Sequence, residues 1–281
     1  PTLLGLSSMH KVRVIPVLLL RDFGLEKSIR FKDAKYVGCP INAARVFNGK
    51  NVDELILLDI IATKEKRGPQ IDVVRQIASE SFMPFTVGGG IDSIDAMWEL
   101  LKAGADRVIV NTAAVEHPDL VAQGADRFGR QCMVVSIDVR MKSDGSYEVY
   151  THAGTQSTGL DPVDFAIQME KMGAGEIFLT SIDRDGTMDG YDVALTRRVA
   201  DALSIPLIAC GGAGSVEHLA EAAYAGHASA VAAGAFFLFY GARRTVLITY
   251  PKDDELRRCF QHDHIRTKDP TATVSRNAAR Y

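Results

Sequence analysis

Two glycine runs, Gly88-Gly89-Gly90 and Gly211-Gly212-Ala213-Gly214, each follow an apolar run of strand character and precede a segment of helical period. Glycine lets a backbone approach a ligand closely, and a helix start offers N–H groups and a favourable dipole to an anion. Gly89, Gly90, Gly212, Ala213 and Gly214 are therefore candidate phosphate contacts. Asn111-Thr112 and Ala233-Gly234 follow their respective runs and are placed to complete two cradles. A pair of cradles suits a ligand with two phosphates; the alternative is that the glycines serve tight turns alone.

Acids for proton transfer come from the ends of apolar runs: Asp59, Asp138, Asp183 and Asp185, with Asp22 in the first loop. Asp138 closes Met133-Val134-Val135-Ser136-Ile137, where a carboxylate is costly unless it is paired or moves protons. Hydrogen bonding to loop amides is the alternative. Asp185, followed by Gly186, is either a second acid or the residue that fixes its turn. Acid–base ring closure calls for a donor and an acceptor on opposite sides of the reacting group. The position equivalent to Asp138 in the first half of the chain holds Leu19.

These residues need a scaffold, and the apolar runs supply one. Strands are expected at 12–20, 55–59, 84–87, 107–110, 133–138, 176–181, 206–210 and 228–233. Helical periodicity fills the stretches between, including 71–81, 94–103, 118–128, 162–172, 194–202 and 216–225. Eight alternating units predict an α/β fold, a single (βα)8 barrel with its site at the C-terminal ends of the strands. A shift of 122 residues carries Glu54 onto Glu176, Gly88-Gly89-Gly90 onto Cys210-Gly211-Gly212 and Ala103-Gly104 onto Ala225-Gly226, so the barrel consists of two similar half-barrels. The barrel is expected to span 1–260, and 261–281 to form a polar, mobile tail. Arg13, Glu54, Arg107 and Glu176 begin four strands and gather two charges of each sign at the barrel floor, as a ring or as ordinary salt bridges.

A net charge of -3 offers no basic field for nucleic acid, and no apolar run reaches membrane-spanning length. Pro1 to Ser8 is too short for a signal peptide, so a cytoplasmic protein is expected. Cys39, Cys132, Cys210 and Cys259 are scattered and read as buried free thiols. His10, His117, His152, His218 and His227 are scattered too, and His262 and His264 fall in the tail, so neither a metal nor another cofactor is expected.

From about Lys11 to Phe239 the chain resembles HisF, the cyclase-subunit family of imidazole glycerol phosphate synthase. The resemblance rests on Glu54-Leu55-Ile56-Leu57-Leu58-Asp59-Ile60, Phe85-Thr86-Val87-Gly88-Gly89-Gly90-Ile91, Asn111-Thr112-Ala113-Ala114-Val115, Thr180-Ser181-Ile182-Asp183-Arg184-Asp185-Gly186-Thr187 and Ala209-Cys210-Gly211-Gly212-Ala213-Gly214. It implies a lyase/cyclase that takes ammonia from a HisH-like glutaminase and acts on a bisphosphorylated ribotide. Asp138 matches one of the family's two catalytic aspartates, and the other falls on Leu19. Lys27 matches the lysine of the mobile substrate loop, and Asp185 with Gly186 matches the loop closing over one phosphate. Arg13, Glu54, Arg107 and Glu176 match the charged ring through which ammonia enters, Arg107 standing for a lysine. Asp106 matches an aspartate of the glutaminase interface, and Gly234 stands where the family usually has serine. Val17-Leu18-Leu19-Leu20-Arg21-Asp22, Tyr36-Val37-Gly38 and the stretch from Arg244 to Pro251 resemble a paralogous branch of bacterial surface-sugar clusters. That branch implies ammonia delivery to a separate amidotransferase that makes an acetamidino sugar in surface polysaccharide.

Overall fold

A computed structural model describes the backbone of residues 12–241 and 243–268 and side chains as far as Gln261. Eight parallel strands close on themselves: β1 (Arg13–Arg21), β2 (Leu55–Asp59), β3 (Phe85–Gly88), β4 (Arg107–Val110), β5 (Met133–Met141), β6 (Glu176–Ser181), β7 (Leu207–Cys210) and β8 (Ala230–Ala233). Each pairs with the next, and β8 returns to β1, with Arg13 opposite Ala230 and Pro16 opposite Ala233. The expected (βα)8 barrel is therefore the observed fold. All eight strands are buried on both faces, which is why they read as continuous apolar runs.

The side-chain period of two sorts each strand between two cores. Outward residues such as Val14, Leu18, Leu57 and Val135 pack against the helices, whereas Ile15, Val17, Ile56, Ile109, Val134, Phe178 and Ile208 fill the barrel interior. The helices that follow the two glycine runs, Ile94–Lys102 and Val216–Tyr224, start alike. The Ser93 hydroxyl accepts from the Ala96 amide at 3.3 Å, and the Ser215 hydroxyl accepts from the His218 amide at 3.4 Å. Equivalent caps follow from the sequence repeat and set both helix starts at the same level of the barrel.

Two additions were not legible in the strand pattern. β1 runs on into an antiparallel hairpin, Gly24–Ile29 and Lys32–Gly38, and β5 runs on into Tyr147–Thr151 and Gln156–Ser157. The second carries the hairpin signal Asp144-Gly145, with Gly145 at φ 83°. The first turns at Arg30 and Phe31, both left-handed at φ 53° and 61°, where Asn-Gly would be usual, so its turn has no sequence signature. The hairpins meet over the barrel mouth: a Cβ on Gly154 would lie 2.8 Å from the Phe31 ring.

The last helix, Asp253–Lys268, continues past residue 260, where the barrel was expected to end. Its Leu256 is buried, and Phe260 sets its ring edge-to-face on Tyr224 at 6.1 Å between centroids. Residues 269–281 of the expected tail lie outside the described residues. No helix among the described residues is long and apolar enough to cross a membrane. Of the four cysteines, Cys210 alone is buried; Cys39, Cys132 and Cys259 are partly exposed, at the ends and outer faces of the elements.

Candidate active site

Inside the barrel, strand alternation stacks the inward side chains in layers. At the N-terminal end lie Arg13, Glu54, Arg107 and Glu176. Arg13 bonds Glu54 at 2.6 Å and also Glu176, while Arg107 bonds both glutamates, so the four alternate in sign around a closed ring. Thr86 donates to Glu54 Oε1 at 2.7 Å. Burial works against the charge of Arg13, but the attraction of Glu176 and Glu54 outweighs it and raises its pKa. The ring is a built feature, since each carboxylate faces two guanidiniums. Asp106 stands exposed beside it and accepts the Phe85 amide at 2.8 Å, so it fastens the start of β3 and also faces outward at this end.

Above the ring comes the apolar layer, and above that a cavity of about 380 Å³ at the C-terminal end. Its walls bring together Lys27, Gly89, Asn111, Thr112, Asp138, Asp185 and Gly234 with Leu19, Leu58 and Phe178. Asp138 receives the Asn111 amide at 3.3 Å. Its carboxyl is pushed up to about 7, first by burial and then by the charge of Asp185, partly offset by hydrogen bonding from Thr180, Ser136 and Asn111. That value suits a group that gives and takes a proton near neutrality.

Leu19 occupies the twofold-related place. It pairs with Leu58 across β1 and β2 as Asp138 pairs with Thr180 across β5 and β6, and the 122-residue shift carries Leu58 onto Thr180. The side chain therefore points into the cavity, where it adds hydrocarbon and no proton. Asp22 does not line the cavity; it sits at φ 51° on the rim, and its carbonyl accepts from Gln70 at 2.8 Å. Asp59 is held by Arg67 at 2.7 and 3.1 Å and fastens the loop after β2. Asp183 accepts the Met141 amide at 2.8 Å.

Asp185 is buried and doubly bonded to Lys27, whose Nζ lies 2.8 and 2.7 Å from its two oxygens. Lys27 is itself only 4% exposed, inside the first hairpin and not on an open loop. The pairing was not anticipated, because nothing in the local sequence links residues 158 apart.

The expected phosphate residues divide. Gly89, Asn111 and Thr112 line the cavity, with Gly90 next to them and partly exposed. Gly186, Gly212, Ala213 and Ala233 are buried and do not line it, whereas Gly234 reaches it. Gly214 departs from expectation, since its N–H already donates to His218 Nδ1 at 3.2 Å. The glycines are demanded by packing as well. A Cβ at Gly89, φ 102°, would lie 2.2 Å from the Asp59 carbonyl, and one at Gly211, φ 94°, 2.7 Å from that of Ser181. Among the described residues no cluster of three His, Cys, Asp or Glu side chains is placed to hold a metal ion.

A charge-ringed floor, an apolar interior and a cavity with glycine in its wall beneath two hairpins define the chain as an α/β barrel with its pocket at the C-terminal end of the strands. A family profile described as "Histidine biosynthesis protein" matches residues 13–242. The imidazole glycerol phosphate synthase subunit HisF of Caulobacter vibrioides strain NA1000 / CB15N is 49% identical over 232 residues, 82% of this chain and 89% of that protein. The same protein from strain ATCC 19089 / CIP 103742 / CB 15 matches with the same identity and coverage. The chain belongs to this histidine biosynthesis family.

Two outcomes follow from the site. Glu176→Ala leaves Arg13 and Arg107 sharing one carboxylate, and loss of a partner from such a buried network costs roughly 3–5 kcal/mol; urea unfolding should show a clearly lower midpoint, and an unchanged one refutes the closed ring. Because the carboxyl of Asp138 titrates higher in the folded chain than the usual 3.8, its contribution to stability is present at low pH and is lost as pH rises through about 7. Unfolding free energy measured from pH 4 to 8 should fall less steeply for Asp138→Asn than for the unmodified protein.

Proposed function

We propose that this chain is a HisF-type subunit that receives ammonia from a HisH-like glutaminase docked at the charged-ring end, with Asp106 at that interface, and conducts it into the cavity. The observation that carries this reading is Leu19, set by strand register opposite Asp138 and pointing into the same chamber. The cyclase subunit's reaction needs proton transfer on both sides of the forming ring, and here one side is hydrocarbon. Ammonia itself is small and neutral, so an apolar interior above a charged ring suits its passage better than that of an ion. The ammonia is then used by a separate amidotransferase, as in the synthesis of an acetamidino sugar for lipopolysaccharide. The partner-facing ring and the cavity keep their roles, while the ring-closing chemistry is reduced to a residue.

A second reading, ammonia-dependent cyclisation of a bisphosphorylated ribotide by a working imidazole glycerol phosphate synthase in histidine biosynthesis, is favoured by Asp138, whose carboxyl sits at about 7. It requires Asp185 to act as the other acid, and that carboxylate is engaged on both oxygens by Lys27.

Turnover of the ribotide with ammonium salts separates the two. The unmodified protein should be slow, and Leu19→Asp should raise the rate by on the order of 100-fold or more, the usual worth of one positioned proton-transfer group. Rapid turnover by the unmodified protein overturns the conduit reading.

A further inference from the structure

The two half-barrels repeat in sequence, but their phosphate ends differ in access. In the first half, the cavity wall includes Gly89, Asn111 and Thr112. In the second half the cavity stops at Lys27, Asp185 and Gly234. The cause is the first hairpin. Its Ser28 carbonyl lies on Gly186, where a Cβ would be 2.2 Å from that oxygen, and the Arg30 amide donates to the Asp185 carbonyl at 2.8 Å. An anion arriving at Gly186 would meet a carbonyl oxygen and not an N–H. Beside it, the stem of Lys27 covers Gly234: a Cβ there would lie 3.1 Å from Cε and 3.2 Å from Cδ of the lysine. Glycine at 234 gives the stem its space, and the ammonium at its end is already neutralised by Asp185 at 2.7 Å.

We propose that the hairpin latches shut the phosphate cradle of the second half-barrel, with Gly234 as the residue that admits the latch, so that the chamber takes a ligand bearing one phosphate, at Gly89, Asn111 and Thr112. Opening the cradle means separating a buried ion pair and lifting the Ser28 carbonyl, and a phosphate would then stand beside the uncompensated Asp185 carboxylate. The selectivity is therefore steric and electrostatic together. Single-phosphate sugars and inorganic phosphate fit the open end, whereas a bisphosphate must displace the chain's own lysine. The inference rests on the reading above in taking the chain as a HisF-type subunit, whose family resemblance makes Gly89, Asn111 and Thr112 phosphate contacts.

Equilibrium dialysis of the full chain against radiolabelled inorganic phosphate counts the sites. The unmodified protein should bind one equivalent, and Asn111→Asp, which sets a carboxylate at the open end, should bind none. Gly234→Ser with Asp185→Asn, which crowds the stem and frees its ammonium, and Lys27→Ala with Asp185→Asn, which removes stem and carboxylate together, should each bind two; circular dichroism identifies which variants are folded. Two equivalents or none in the unmodified protein, or one in either folded hairpin variant, overturns the closed cradle. Slow ribotide turnover with two phosphates bound sinks this proposal and leaves the conduit reading standing; one phosphate bound by a chain that no HisH-like glutaminase engages does the reverse.

Discussion

Closure of eight parallel strands is the constraint from which everything else follows. Once β8 pairs with β1, every second residue of every strand must lie inside the barrel, and its neighbours in the layer are fixed by register. Four charged residues at four strand starts then have no choice but to face one another. Arg13, Glu54, Arg107 and Glu176 are tolerable there because their signs alternate, so each desolvated carboxylate recovers Coulomb energy from two guanidiniums. The same register, read toward the other end of the strands, carries Leu19 and Asp138 into one chamber.

Much of this was legible in the residues. Parallel strands buried on both sides leave unbroken apolar runs, and seven of the eight were found within two residues of their observed limits, β5 alone running three residues further, to Met141, into its hairpin. The repeat gave more than the strands, because it assigned equivalence: at 122 residues Ser93 and Ser215 cap alike, and aligning the first strand of each half, at an offset of 119, sets Leu19 opposite Asp138. The hairpins were missed for opposite reasons. Asp144-Gly145 is a turn signal placed beyond a strand already accounted for, while Arg30-Phe31 takes up a left-handed turn with residues that disfavour it. Such a turn persists only when tertiary contacts determine it, here the Phe31 ring on Gly154 and the Arg30 amide on Asp185.

The glycines of the two runs answer to packing before they answer to any ligand. Close approach of backbone is what Gly89 and Gly211 provide, but the nearest backbone is the protein's own, the carbonyls of Asp59 and Ser181. Tight turning and close approach to a ligand thus make the same demand on these positions. The preceding strand end must pack against the loop before the loop can direct its amides anywhere, and the twofold repeat preserves that packing in both halves. What differs between the halves is what lies on top, and this depends on a hairpin in one half whose contacts reach across 158 residues.

Leu19, Lys27 and Gly234 belong to one electrostatic arrangement. A second aspartate at 19 would place three carboxylates, with Asp138 and Asp185, around a single buried ammonium, and the lysine would be drawn between competing partners. Leucine removes one claimant, and both bonds of Lys27 then go to Asp185. Asp138 has no cation bonded to it among the described residues, and burial together with the Asp185 charge holds its proton up to about 7. Glycine at 234 lets the lysine stem lie flat along the wall while it makes the pairing. Residue 19 and the resting place of Lys27 therefore share one wall of the chamber, and an aspartate at 19 would change the charge around the lysine as well as around Asp138.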